Sequence, residues 1–289
     1  MADEAPNLCS PKAVAELLRR HGIQPSKALG QNFLIDRNVL RQIVKAGGVG
    51  EGTRVLEVGP GLGVLTEELL AAGAFVTSVE KDDHLWPVLE ERFAGRPAFE
   101  LVKGDALDLD YGAFLSERGI THLVANLPYS VGTRVVVEAA TCAAPPRQMT
   151  LLLQKEVCQR FAAPVRSPDR GAVSVWLQRC YDVSLVRDVP PGCFVPRPDV
   201  VSTVVSLARH DRFPISADED RRFRALVKTA FLHRRKQLAA SMKSAGDLAL
   251  SAPRIRELLE SVGAEPTARA EELSVEQWLH LAAAWRPAP

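Results

Sequence analysis

Residues 54–70 read Arg-Val-Leu-Glu-Val-Gly-Pro-Gly-Leu-Gly-Val-Leu-Thr-Glu-Glu-Leu-Leu. A short run of branched apolar residues passes into a glycine-rich turn and then into helical spacing, which predicts strand, loop and helix in succession. The same rhythm extends on the C-terminal side. Strands are expected over Phe75–Val79, Phe99–Val102, His122–Ala125 and Met149–Leu153. Helical stretches fall between them, through Trp86 and Leu89, around Phe114 and along Val135–Ala144. Strands alternating with helices predict a parallel sheet covered on both faces.

On the N-terminal side two helices precede this core. Ser10 caps the first, Pro11 suits its first position, and Gly22 can end it in the left-handed conformation. The second runs from Asp36 to Ala46, with Val39, Leu40, Ile43 and Val44 at helical spacing. Beyond residue 153 the rhythm changes. Val173–Leu177 reads as helical. Tyr181–Val186 and Val200–Leu207 read as strands around the proline-rich stretch 190–199, pairing as an antiparallel hairpin at the sheet edge. After His210 strand signals disappear, and short helices with breaks near Gly246, Pro253 and Gly263–Pro266 are expected. The predicted domains are 1–208, with 1–25 as an N-terminal extension, and 209–289.

Composition excludes several classes. Hydrophobic residues make up 46% and charged residues 25% of 289, so the chain is globular rather than disordered. Lys and Arg total 36 against 35 for Asp and Glu, which rules out a uniformly basic nucleic-acid coat but not a local patch. Five widely spaced cysteines contain no CxxC pair, so neither a zinc ribbon nor a dithiol site is expected, and no metal ligand set is found. The start MADEAPN is not a secretory signal and no stretch has the length of a membrane helix, so a cytoplasmic protein with no membrane contact is expected.

Three features point to a ligand. Gly59, Gly61 and Gly63 form G-x-G-x-G, not the G-x-G-x-x-G of dinucleotide sites, and alone would fit a structural turn equally well. Glu80 ends the next strand and could accept from ribose hydroxyls, and Asp105 follows the third strand, where it could accept from an adenine amino group. Asn126-Leu-Pro-Tyr-Ser130 follows the fourth strand. Pro128 fixes its own φ and restricts Leu127, which leaves the Leu127 carbonyl and the Asn126 side chain free to face a ligand, while Tyr129 offers a ring for stacking a base.

With these residues in view the chain resembles the S-adenosylmethionine-dependent rRNA adenine N6-dimethyltransferases, most closely the small-subunit (16S) type that confers kasugamycin sensitivity. The matching blocks are SKALGQNFLID (26–36), VLEVGPGLGVLTEEL (55–69), VEKD (79–82), KGDAL (103–107), ANLPYS (125–130), LLLQKEVCQRF (151–161), FVPRPDVVSTVV (194–205), FLHRRKQL (231–238) and EELSVEQWLHLA (271–282). The resemblance implies a seven-strand Rossmann-like class I methyltransferase sheet with a small all-helical C-terminal domain. It implies that Asn32, Leu34, Gly59, Gly61, Glu80, Asp105, Ala106 and Asn126 border the methyl donor, which leaves as S-adenosylhomocysteine. It implies that Asn126, Leu127, Pro128 and Tyr129 hold the target adenine, and that Phe194 closes its other face. The implied partner is small-subunit rRNA in a pre-30S-type particle, approached by a monomer. The sequence departs from the family pattern over Ala162–Gly171, an expected rRNA-facing loop.

From Arg221 to Lys243 there are eight basic residues and no acid. Arg221, Arg222, Arg234, Arg235 and Lys236 are therefore expected on a phosphate-binding face, against the alternative of an ordinary solvated helix. Three other functions remain open on sequence grounds: a macrolide-resistance-type methyltransferase of large-subunit rRNA, a non-catalytic small-subunit assembly factor, and a DNA adenine methyltransferase.

Overall fold

The computed structural model describes residues 8–26, 29–233, 236–242 and 251–285. Among them the elements run β1 (Phe33–Leu34), β2 (Arg54–Val58), β3 (Phe75–Glu80), β4 (Phe99–Lys103), β5 (His122–Asn126), β6 (Gln148–Gln154), β7 (Tyr181–Val189), β8 (Phe194–Val195) and β9 (Ser202–Arg209). The helices of the first half are α1 (Pro11–Arg20), α2 (Arg37–Ala46), α3 (Val64–Ala71), α4 (Trp86–Arg92), α5 (Tyr111–Glu117) and α6 (Gly132–Thr141). Those of the second are α7 (Lys155–Ala162), α8 (Ala172–Cys180), α9 (Ala217–Ala230), α10 (Leu238–Met242), α11 (Ala252–Ser261) and α12 (Val275–Ala284).

Seven strands form one sheet in the order β4-β3-β2-β5-β6-β9-β7. The first five are parallel, and β9 runs antiparallel to β6. The expected class I methyltransferase sheet is therefore present, with the two late strands at one edge. Burial follows strand position. In β2, Val55 and Leu56 are fully buried, as are Leu123, Val124 and Ala125 of β5, whereas the edge strand β7 is exposed along most of its length. Strands covered on both faces need continuous apolar runs, and each Val or Leu so buried contributes roughly 1.5–3 kcal/mol.

The order reverses between β2 and β5: β3 and β4 lie on one side of β2, β6 on the other side of β5. Open sheets of this kind form a crevice at that point, beyond the carboxyl ends of the strands. The glycine loop leaves β2 there and Asn126 ends β5 there.

The N-terminal extension is part of this core. Ser10 caps α1 by accepting from the Ala13 N–H, and Val14, Leu17 and Leu18 of α1 are buried with Val39, Leu40 and Ile43 of α2. Two short strands missing from the sequence reading, β1 and β8, pair antiparallel through Phe33–Val195 and Leu34–Phe194.

Packing divides the chain into two compact units. One holds the described chain up to Cys158 with Asp182–Arg209, and the other holds Gln159–Tyr181 with the chain from His210 onward. The boundary after residue 208 was expected to leave 159–181 in the first domain. Instead Val175, Ala172 and Trp176 join the apolar cluster of Phe223, Leu226, Val227, Leu259, Trp278 and Trp285. The atypical loop 162–171 lies in this second unit. Arg170, 1% exposed, donates to the Ala163 carbonyl at 2.7 Å and to Gln178 Oε1 at 2.6 Å, and the Arg166 N–H donates to the Glu271 carbonyl at 2.8 Å. Burial lowers the Arg170 guanidinium to about 10, and the loop closes on the arginine rather than presenting it to solvent. No helix among the described residues is long and apolar enough to cross a membrane.

Candidate active site

An open cleft of about 1280 Å³, solvent at its mouth included, lies over the carboxyl ends of the parallel strands. It is lined by Asn32, Leu34, Gly59, Gly61, Glu80, Asp105, Ala106, Asn126, Leu127, Pro128 and Tyr129, so eleven expected residues meet in one place. The sheet order β4-β3-β2-β5 sets their sequence across the cleft: Asp105, then Glu80, then the glycine loop, then Asn126. Three strand spacings of ~4.8 Å give a row of roughly 14 Å.

Phe194 does not join them. Its ring is 3% exposed and belongs to the core cluster with Phe33, Leu34 and Val189, and its backbone pairs with Leu34. Pairing of β8 with β1 sets Phe194 opposite Leu34, which itself lines the cleft.

The glycine loop needs its glycines for distinct reasons. Gly59 has φ +67°, and a Cβ there would stand 3.5 Å from Pro128 Cδ, so the loop rests directly against the Asn126–Tyr129 corner. Gly63 has φ +76°, and a Cβ would come within 2.5 Å of the Phe93 ring, so the third glycine admits an aromatic ring at the end of α4. At Gly63 the left-handed φ and the blocked Cβ position exclude other residues, whereas at Gly59 the left-handed φ alone disfavours them.

Glu80, 6% exposed, sits beneath this loop. Its Oε2 accepts from the Gly61 N–H at 3.2 Å and its Oε1 from the Asp82 N–H at 2.9 Å. Burial pushes its pKa up, and the backbone donors oppose that shift. A carboxylate accepts about four hydrogen bonds, so capacity remains for hydroxyl groups. Asp105 accepts from the Leu107 N–H at 2.9 Å and from Lys81 Nζ at 2.7 Å, and the lysine holds its carboxyl below the usual range.

At the far end the Asn126 amide is oriented. Its Nδ2 donates to the Asn32 carbonyl at 3.3 Å, so the two hydrogen-bonding ends of the amide are told apart. Among the described residues no group donates to Oδ1 or to the Leu127 carbonyl, while the Leu127 N–H is spent on the Leu152 carbonyl at 3.2 Å. Tyr129 is half-buried and its hydroxyl meets Ser202 Oγ at 2.7 Å, which fixes the ring from its outer end.

Four residues of this site had no signal in the spacing. Glu57, 1% exposed, lines the cleft from β2 and accepts from Thr66 Oγ1 at 2.6 Å and Ser78 Oγ at 2.8 Å; an acid inside the apolar run of β2 was the trace that could have marked it. Gln31, Asp82 and Lys81 stand inside quoted blocks, yet their partners lie 51 and 24 positions away. Asp82, Asp83 and His84 lie close enough to face one ion, but Asp82 already serves His84 and Gln31.

The family profile described as ribosomal RNA adenine dimethylase matches residues 23–285. The chain belongs to this family. It is an S-adenosylmethionine-dependent rRNA adenine dimethyltransferase. Among curated relatives of this dimethylase, the ribosomal RNA small subunit methyltransferase A of Deinococcus radiodurans is 42% identical, over 98% of this chain and 92% of its own. The protein of the same name from Magnetococcus marinus is 40% identical over 92% of this chain and 94% of its own. Two solved structures share the fold: a dimethyladenosine transferase from Plasmodium falciparum (TM-score 0.73, 21% identity, 86% of this chain and 95% of that one) and the 23S rRNA methyltransferase ErmE (TM-score 0.64, 24% identity, 88% and 99%).

The residues present fit the methyl donor. Acceptors to which no described residue donates line one end of the cleft, two carboxylates with spare lone pairs line the other, and the Gly59 position leaves backbone within reach between them.

Proposed function

We propose that this dimethylase places two methyl groups on N6 of each of two adjacent adenosines in the 3′-terminal hairpin loop of small-subunit (16S) rRNA. In this reading it acts as a cytoplasmic monomer on a pre-30S-type particle. The observation that carries the chemistry is the oriented Asn126 amide beside the Leu127 carbonyl, at the end of a row that begins with Glu80 and Asp105. The small-subunit assignment is supported by relatives about two-fifths identical over nearly the whole chain.

When bound, S-adenosylmethionine supplies an electrophilic methyl group on a sulfonium. Glu80 accepts from ribose hydroxyls, Asp105 from the adenine amino group, and Asn32, Leu34, Gly59, Gly61 and Ala106 shape the walls between them. The target N6 is a weak nucleophile because its lone pair is delocalised into the ring. Asn126 Oδ1 and the Leu127 carbonyl accept hydrogen bonds from its two N–H groups, which favours a pyramidal nitrogen with a localised lone pair, and Pro128 restricts the turn that carries both acceptors. This is electrostatic preorganisation together with positioning. The proton that N6 gives up on methylation leaves to solvent through the open mouth of the cleft. Tyr129 stacks on the base and holds it out of its own stack.

Labelled methyl donor offered to unmethylated small subunits and, separately, to unmethylated large subunits is expected to yield dimethyladenosine only in the small subunit, at two neighbouring positions of the 3′-terminal loop. Label confined to large-subunit rRNA, or absent from both, would overturn the assignment.

The basic stretch is less free than its composition suggests. Within α9, Arg221 pairs with Asp218, and Arg224 with Asp220 at 2.8 Å, so acids from the first turn of the helix neutralise part of it. Arg222 is half-buried, Lys228 and Lys236 are exposed, and Arg234, Arg235 and Lys243 lie outside the described residues. We assign RNA phosphate contact to this stretch through Arg221, Arg222, Arg234, Arg235 and Lys236. Replacing Arg234, Arg235 and Lys236 together is expected to weaken RNA binding and reduce the slope of log affinity against log salt by about 2–3. Filter binding from low to high salt checks it, and an unchanged slope would return the stretch to solvent.

A further inference from the structure

One wall of the methyl-donor cleft is the segment Leu29–Leu34. Its C-terminal end is anchored by the pairing of β1 with β8, and Asn32 within it meets the Asn126 amide. Its N-terminal end lies outside helix and strand; the Leu29 N–H donates to Ser26 Oγ at 3.3 Å and the Gln31 N–H to the Ser26 carbonyl at 3.2 Å, and the Gln31 side chain ties this local turn to a distant part of the chain. Gln31 Oε1 accepts from the Ser26 N–H at 2.7 Å, while Gln31 Nε2 donates to Asp82 Oδ2 at 2.6 Å across 51 residues. Asp82 is 9% exposed, and its own N–H donates to Glu80 Oε1 at 2.9 Å. Its other oxygen, Oδ1, accepts from the His84 N–H at 3.1 Å and lies 3.0 Å from His84 Nδ1. A continuous hydrogen-bonded path thus runs from the wall segment through Gln31 and Asp82 to Glu80, and from Glu80 Oε2 to the Gly61 N–H in the glycine loop.

We infer that Gln31 is a positioning residue that latches the wall segment to the ribose-binding carboxylate through Asp82, so that closing the cleft and orienting Glu80 are one event. The inference rests on the reading of the cleft as the methyl-donor site. The competing possibility is that burial of Phe33 and Leu34 holds the segment without help, in which case the latch is redundant and its chemistry is of no consequence to binding.

The bond pattern offers a decisive variant. Gln31 needs an acceptor toward Ser26 and a donor toward Asp82, and Asp82 needs an acceptor toward His84. The double variant Gln31→Glu with Asp82→Asn satisfies all three requirements with the polarity of the central bond reversed. Gln31→Glu alone sets two carboxylates against each other, and Gln31→Leu removes the bond.

The test is calorimetric titration of the full-length protein with S-adenosylhomocysteine, with hydrogen exchange of the Asn32–Leu34 amides followed in parallel. Each single variant is expected to bind about tenfold more weakly, the scale of a hydrogen bond to a charged partner, with faster exchange in the wall segment. The double variant is expected to return to within about threefold of the parent, the residue of an imperfectly reversed bond. Should Gln31→Glu fail to fold, Gln31→Asn, one methylene short of Asp82, is expected to weaken binding in the same direction. Single variants that bind like the parent, or a double variant as weak as the singles, would overturn the latch while leaving the methyl-donor reading intact. A parent protein that does not bind the ligand at all would overturn that reading, and the latch with it.

Discussion

Asn126→Ala is expected to lower the rate of methyl transfer by about 10²–10³-fold, the range seen when one preorganised group is removed from a charge-stabilising pair. Affinity for S-adenosylhomocysteine should stay within about threefold, since the carboxylates proposed to hold the donor, Glu80 and Asp105, line the other end of the cleft. The effect follows from the tether on the Asn126 amide. With Nδ2 donating to the Asn32 carbonyl, Oδ1 is the end left for an incoming amine. Alanine removes that acceptor and leaves the Asn32 carbonyl without its partner. Asn126→Asp keeps an acceptor but turns a second oxygen toward the Asn32 carbonyl, so it should also lose rate, by less than alanine. Single-turnover transfer with calorimetry on the same preparations separates the two steps. A parent-like rate in the alanine variant would remove Asn126 from the chemistry.

The second large effect is on stability. Glu57 is buried under the glycine loop, and burial raises its carboxyl from 4.5 to about 7, with the Thr66 and Ser78 hydroxyls opposing the shift. The folded state therefore holds this proton over a range where the unfolded chain has released it. The contribution is fully present below pH 4.5 and is lost as the pH rises through about 7. The difference of the two pKa values amounts to about 3 kcal/mol. Glu57→Gln abolishes that titration while keeping an oxygen for the two hydroxyls. Urea unfolding at several pH values between 5 and 8 should show the parent losing stability relative to the variant as pH rises, by up to about 3 kcal/mol. Parallel curves would show that Glu57 does not titrate in this window.

Much of the fold was legible because it repeats. Val55–Val58 and its successors are apolar runs cut to strand length and separated by helical spacing, and a parallel sheet is the arrangement that buries such runs on both faces. Glu80, Asp105 and Asn126 could be found because each closes one of those runs, and strand ends are where such sheets carry their ligands. What escaped was whatever depends on contacts between distant residues. Two-residue strands such as Phe33–Leu34 and Phe194–Val195 are too short to show a period, so their pairing, and with it the burial of Phe194, had no sequence signature. The segment 159–181 carries a helix whose apolar side suits either unit, and three-dimensional packing with Phe223 and Trp278 decides between them. Part of the basic run from Arg221 is compensated by acids just before it in the sequence: Asp218 pairs with Arg221 and Asp220 with Arg224 on the same helix.

The tether on Asn126 has one further outcome for a reaction performed twice. An amide pinned by its nitrogen cannot swivel to follow a changing guest. In the proposed mechanism an amine that already carries one methyl has a single hydrogen left to share between the two acceptors, Asn126 Oδ1 and the Leu127 carbonyl. The turning in the second round therefore belongs to the nucleotide, about its own carbon–nitrogen bond. On that mechanism, a difference in speed between the two rounds is expected to reflect the torsion of the RNA base.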